Sequence, residues 1–101
     1  MSTVSIRHDV AGPFGLLTVR KAFQSHGAMA AYDYTPNRTG RLPKEWVDAY
    51  QSDRENPGIS YVVYSYNTPI AWVSVNGEPI IPDVGYSVTT TRHQELCRVW
   101  L

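Results

Sequence analysis

Two neighbouring segments, ISYVVYSY (59–66) and IAWVSV (70–75), constrain the fold most strongly because both are rich in β-branched and aromatic residues. The intervening Asn67-Thr68-Pro69 predicts a short turn between two strands. Asn76-Gly77 follows and predicts a hairpin, since both central residues of a type I′ turn need a positive φ. This part of the chain is therefore predicted to form antiparallel strands.

Two weaker strands extend this predicted sheet. EPIIP (78–82) contains Pro79 and Pro82, which cannot donate hydrogen bonds to a neighbouring strand, so we expect it at an edge. GYSV (85–88) fits a fourth, short strand. The sheet would then have three or four strands.

Helical patterns occupy three other segments. PFGLLTVRKAFQSHG (13–27) repeats apolar residues at helical spacing and ends in a glycine. LPKEWVDAYQSDR (42–54) has a proline suited to the first helical position and apolar residues along one face. A last helix is predicted from about Arg92 to the end, and the polar segment 28–41 is predicted to be a loop.

Together these elements predict an α+β domain. Two N-terminal helices and one C-terminal helix would pack on one face of a small antiparallel sheet of three or four strands. The 101 residues fit a single domain, 1–101. Residues 1–58 would be mainly helix and loop, and residues 59–101 would form the hairpins and the last helix.

Composition excludes several classes of protein. Nine basic and nine acidic residues cancel, so the overall field does not attract nucleic acid or anionic membranes. The one cysteine, Cys97, rules out an internal disulfide and a zinc site with two thiolates. No apolar run approaches the roughly 20 residues of a membrane span, and the N-terminus does not resemble a secretory signal. We therefore expect a cytoplasmic protein.

The segment YSVTTTRHQ (86–94) has two interpretations. Thr91 and Gln94 have the spacing of a capping box, which would make the segment the start of a helix and nothing more. The alternative is an anion pocket, because a helix N-terminus offers free amides and the positive end of a dipole. The side chains of such a pocket would be Thr90, Thr91, Arg92 and His93.

Two segments also resemble a known family. VVYSYNTPIAW, a hairpin and then YSVTTTRHQ are similar to a widespread family of small proteins, many of them encoded by actinobacterial phages. In that family YSY-x-TPIAW precedes YSVTT-[S/T]-[K/R]-H. The resemblance covers about residues 59–98, and GRLPKEWVDAY (40–50) is similar to the segment that often comes before. The family is a domain of unknown function, so the resemblance implies a phage or prophage origin and carries no site residues over.

Two more sets of side chains are candidates for binding. Tyr64 and Tyr66 share a strand face and could stack on nucleotide bases if exposed, whereas packing in the core is the alternative. Arg38, Arg41 and Lys44 form a basic run that could contact phosphates or could be an ordinary solvated loop.

Catalysis has little support in the sequence. His93 and Cys97 lie i, i+4 on one helix face and could form a nucleophile–base pair, but a cysteine more often only packs. The histidines at positions 8, 26 and 93 lack metal-ligand spacing. We expect no enzyme activity, no cofactor and no metal.

Two functions remain as hypotheses. The first is a non-catalytic protein-interaction module that acts on a host or phage protein, or on itself as a homo-oligomer, in the cytoplasm of the host bacterium. Neutral charge, abundant Trp and Tyr and an edge strand favour it. The alternative is a nucleic-acid-binding protein that uses the basic 20–44 segment and the Thr91-Arg92-His93 helix start. No membrane partner is expected.

Overall fold

The structure, a computed structural model, describes residues 3–25 and 28–101. Its six strands are β1 (Thr3–Val4), β2 (Phe23–Ser25), β3 (Met29–Tyr32), β4 (Ile59–Ser65), β5 (Thr68–Ser74) and β6 (Pro79–Ile80). They form one sheet in chain order, in which β1 is parallel to β2 and all other neighbours are antiparallel. Two helices, α1 (Lys44–Glu55) and α2 (Val88–Trp100), accompany the sheet, and a short π-helical turn covers Ile6–Val10.

The two helices lie on opposite faces of the sheet, because successive side chains of β4 point to opposite sides. Val62 and Tyr64 pack in one cluster with Tyr50 of α1. Tyr61 and Val63 pack in the other cluster with Cys97 of α2. The predicted small antiparallel sheet with all helices on one face is therefore wrong: the sheet is mixed, has six strands and is covered on both sides.

The predicted helix over 13–27 is also wrong, since residues 13–25 form turns and then β2, and its last two residues, 26 and 27, lie outside the described residues. A side chain at Gly15 would collide with the carbonyl of Val10, because the chain folds back there onto the π-helical turn. The Arg20 guanidinium donates to the Leu101 carbonyl at 3.1 Å. Contacts with the end of α2 thus override the local apolar spacing.

The strands that the sequence did not predict lie in segments that were predicted to be loop or helix. The predicted loop over 28–41 contains β3, which lies between β2 and β4 in the sheet. Residues 85–88 do not form a strand, and the last of them, Val88, begins α2. β3 was missed because two of its four residues are alanine, which has little strand propensity.

The central hairpins agree better with the sequence. Asn76-Gly77 joins β5 to β6, and Gly77 has a φ of 89°. β6 is an edge strand, as expected from Pro79. The turn between β4 and β5 falls at Tyr66–Asn67, because Ser65 already pairs with Thr68.

Of the predicted helices, the one over 42–54 is confirmed as α1, and it ends before Asn56. The last helix is confirmed as well, but α2 starts at Val88 and not at Arg92. Within the described residues, neither helix is long and apolar enough to cross a membrane.

Candidate functional site

A cleft of about 490 Å³ opens at the end of the sheet where β4 turns into β5. The loop before α1 and the N-terminus of α2 form its other walls. Its lining residues are Gly40, Arg41, Ser65, Tyr66, Asn67, Thr68, Tyr86, Ser87 and Thr90. Six of them carry hydroxyl groups, and Arg41 supplies the charge among the lining residues that the structure describes. We call this the hydroxyl-lined cleft.

The first wall is the two-residue turn Tyr66–Asn67 and the loop that lies against it. The Thr68 hydroxyl accepts a hydrogen bond from the Arg41 amide at 2.9 Å. Gly40 permits this approach, because a Cβ there would collide with the Asn67 carbonyl and the Thr68 hydroxyl. Tyr66 has a φ of 58°, which is uncommon for a residue other than glycine and falls here in the two-residue turn.

The second wall is the start of α2, where Ser87 is the cap. Its hydroxyl accepts from the Thr90 amide at 3.2 Å. The Thr91 hydroxyl donates to the Ser87 carbonyl at 3.0 Å. The Gln94 side-chain amide donates to the Val84 carbonyl at 3.0 Å. The capping box predicted from Thr91 and Gln94 is therefore wrong, although the segment does cap a helix.

Buried polar side chains form the floor between the two walls. The Ser65 hydroxyl lies 2.8 Å from His93 Nδ1 and 3.0 Å from the Thr90 hydroxyl. Burial lowers the pKa of His93, so its imidazole is neutral near pH 7. This network connects β4 to α2 and fixes the position of the Thr90 side chain in the cleft.

The groups that could act as nucleophiles are poorly placed for catalysis. The Ser65–His93 contact has the length of a nucleophile–base pair, but Ser65 is only 1% exposed and also contacts Thr90. Cys97 is fully buried, and burial raises the pKa of its thiol to about 12. A thiol with that pKa holds almost no thiolate near pH 7. Among the described residues, no three metal-ligating side chains come together.

Tyr86 lines the cleft and carries an unusual hydroxyl. Its oxygen is buried and finds no hydrogen-bond partner among the described residues. Burial raises the pKa of the Tyr86 phenol, which keeps it protonated as a donor. An unpaired buried hydroxyl is rare in folded proteins and requires an explanation, such as a ligand or a water molecule.

The remaining predicted site residues lie elsewhere. Tyr64 is buried, so it cannot stack on a base, and its hydroxyl donates to the Arg38 carbonyl at 2.6 Å. The Arg38 guanidinium lies over the ring of Tyr64, 4.8 Å from its centroid. Lys44 forms an ion pair with Asp48 on the surface of α1. Tyr66 is exposed in the cleft and does not belong to a strand.

Arg92 and His93 line a second groove, on the outer side of α2. The predicted anion pocket is thus split: Thr90 lies in the hydroxyl-lined cleft with Arg41 and Tyr66, whereas Arg92 does not line it. Sequence reasoning did not select six lining residues: Gly40, Ser65, Asn67, Thr68, Tyr86 and Ser87. A signal was available, since all nine lining residues lie in the three segments on which the family resemblance rests.

Comparison with known proteins places the chain in a family. Residues 27–97 match a family described as a family of unknown function (DUF8033), which is more than half of the chain. The chain belongs to this family. The matched range includes every residue of the hydroxyl-lined cleft. The comparison with curated proteins found no match, and neither did the comparison with solved structures.

Proposed function

We propose that this member of the DUF8033 family is a non-catalytic binding protein whose hydroxyl-lined cleft takes an acidic group of a partner protein. The observation that carries the proposal is the charge of the cleft. Arg41 is exposed there, next to the N-terminus of α2, and none of the described lining residues is acidic. A guanidinium and a helix N-terminus both favour a carboxylate.

The hydroxyl groups of the cleft suit the same ligand. Tyr86 also lines the cleft, and a carboxylate oxygen that reached its buried, unpartnered hydroxyl would supply an acceptor. Hydrogen bonds to a charged group contribute about 1.5–3 kcal/mol, so a few such contacts give a specific site. The pKa of the Cys97 thiol and the burial of Ser65 also favour binding over catalysis.

The sequence resemblance adds a finer part to the proposal. It favours a phage-encoded accessory protein that binds a host or phage protein in the cytoplasm of a bacterium. The convergence of the three resembling segments on one cleft supports a shared binding role for that cleft. The partner remains defined by chemistry: a protein that presents an acidic side chain or a C-terminal carboxylate.

Binding of nucleic acid through the basic run has less support. Arg38 stacks on the rings of Tyr32 and Tyr64, and Lys44 is paired with Asp48. Arg41 lines the cleft at the end of the sheet. Because the three cations make different contacts, a single phosphate-binding stripe has less support than the cleft.

A backbone amide NMR titration tests the proposal with two matched probes, Ac-Glu-Glu-Glu-NH2 and Ac-Gln-Gln-Gln-NH2. The acidic peptide should cause saturable shifts in residues 65–68 and 86–90, and the neutral peptide should not. Arg41→Gln should weaken the acidic peptide at least about tenfold, which corresponds to the loss of one charged hydrogen bond.

Lys44→Gln is the matched control, because it removes an exposed positive charge three residues along the chain, outside the cleft. Equal weakening by both substitutions would indicate general charge attraction and would contradict the proposal. Shifts confined to residues outside the cleft would contradict it too.

A further inference from the structure

The outward side of α2 has a pattern that is independent of the hydroxyl-lined cleft. Val88, Arg92, Glu95 and Val99 are all exposed, and the two valines are 72% and 67% exposed. Their spacing of four, three and four residues is the a/d spacing of a coiled-coil seam. With 3.6 residues per turn they fall within an arc of about 60° and span about 16 Å of helix. We call these four residues the α2 stripe.

The α2 stripe is self-complementary when it is reversed. In chain order the stripe is apolar, cationic, anionic and apolar. In the reverse order the apolar residues are again at the two ends, and the anionic residue comes before the cationic one. An antiparallel copy therefore places each Arg92 opposite Glu95 of the other copy, and each Val88 opposite Val99. A parallel copy would place like charges together.

From this pattern we infer that α2 is a homodimer interface, in which a second copy of this chain packs antiparallel on the α2 stripe. The two-fold axis passes between His93 and Gln94 of the two helices. The same surface then faces itself, as an isologous interface requires. Antiparallel helices also oppose their dipoles favourably.

The surroundings of the stripe provide space for the second helix. A groove of about 570 Å³ runs beside it and is lined by Ile6, Leu96 and Thr89 as well as by stripe residues. An exposed valine of the second copy would enter this groove, as ridges of one helix pack into the grooves of another. Neither Arg92 nor Glu95 forms an ion pair within the described part of the chain, so both charges are available.

The interface is small, because it uses one 13-residue helix from each copy and the edge of the π-helical turn. Specific and stable interfaces bury about 1,200–2,000 Å² in total, and smaller ones belong to transient complexes. We therefore expect a dimer with a Kd in the micromolar range.

Sedimentation equilibrium over about 10 μM to 1 mM, a range that covers weak complexes, tests the inference. The wild-type chain should show a monomer–dimer equilibrium. Arg92→Glu and Glu95→Arg should each raise the Kd more than tenfold. In either variant, positions 92 and 95 of the two copies form two pairs of like charges across the interface. The double variant R92E/E95R should restore the dimer, and an equimolar mixture of the two single variants should form a heterodimer.

Lys44→Glu is the control, since it makes the same charge change as Arg92→Glu on the other face of the sheet. It should leave the dimer intact. A wild-type chain that stays monomeric at 1 mM overturns the inference. A dimer that is unchanged by both Arg92→Glu and Glu95→Arg overturns it as well. Circular dichroism of each variant ensures that loss of the dimer is not loss of the fold.

Discussion

The face of the sheet under α1 and the hydroxyl-lined cleft use tyrosine in opposite ways. Under α1, the Tyr50 hydroxyl donates to the Pro36 carbonyl at 2.8 Å, and the Tyr64 hydroxyl donates to a carbonyl of the same loop. Tyr86, which lines the cleft, has a buried hydroxyl with no partner among the described residues. Buried polar groups that form hydrogen bonds with one another stabilise the fold, whereas a buried polar group without a partner is a candidate for contact with a ligand or a water molecule.

The same contrast holds for the cations. Arg38 lies on aromatic rings of the α1 side and donates to the Tyr32 hydroxyl at 3.1 Å. Arg41, three residues after Arg38 in the chain, lines the cleft and forms no ion pair with a described residue. We therefore expect substitutions on the α1 side to change stability, and substitutions in the cleft to change binding.

The largest effect on stability should come from Trp72→Ala. Trp72 is fully buried, lies edge-on to Tyr50 with 5.1 Å between ring centroids, and donates to Asp53 at 2.8 Å. Removal of a buried aromatic side chain costs about 3–5 kcal/mol of the free energy of unfolding. Equilibrium unfolding in guanidinium chloride measures this loss.

Tyr34→Ala is the control for Trp72→Ala, since Tyr34 is 59% exposed. It should change the free energy of unfolding by less than about 0.5 kcal/mol. If the two variants lose similar stability, the α1 side does not have the packing described above.

A smaller loss is expected from Tyr64→Phe, which removes one hydroxyl and keeps the ring. The Arg38 carbonyl then loses a donor at 2.6 Å, and the Tyr50 hydroxyl loses a neighbour at 3.2 Å. A buried hydrogen bond of this kind contributes about 1–2 kcal/mol. Thermal and chemical unfolding should both report the loss, while affinity for Ac-Glu-Glu-Glu-NH2 stays unchanged. A loss of affinity without a loss of stability would reverse the roles assigned to the two regions.

Acidification tests the buried network between them. Burial holds the pKa of His93 below its value of 6.5 in the unfolded chain. The unfolded state therefore binds more protons in the window below pH 6.5, and stability falls as the pH falls through it. His93→Asn keeps a polar group near Ser65 and removes the titration, so its stability should depend less on pH between 7 and 5. Parallel pH profiles for the two proteins would contradict a buried neutral His93.

Particular residues show how far the sequence could predict the fold. The hairpin around Asn76-Gly77 was predicted correctly because turn residues and β-propensity decide it, but the type I′ turn was not, since Gly77 has a positive φ and Asn76 does not. The position of helices on both faces was missed, although the continuous apolar run of β4 is typical of a strand buried on both sides. β2 could not be recognised, because the turn before it depends on the contact of Arg20 with Leu101, which is distant in the sequence.

The site was predicted only in part for the same reason. Thr90, Arg41 and Tyr66 were selected by residue type and do line the cleft. Ser65 and Tyr86 looked ordinary in the sequence, since their importance arises from burial and from the partners they have or lack. Local patterns predict elements, but only the assembled sheet brings the three segments to one cleft.

The smallest effect on stability, and the sharpest comparison, is expected from Tyr86→Phe. This variant makes the same chemical change as Tyr64→Phe, but it removes a hydroxyl that has no partner among the described residues. The free energy of unfolding should stay within about 0.5 kcal/mol of wild type or rise, because an unpaired buried hydroxyl is unfavourable. Affinity for Ac-Glu-Glu-Glu-NH2 should fall several-fold in the NMR titration, since the carboxylate loses a donor. Lower stability with unchanged affinity would show that Tyr86 belongs to the structure and not to the site.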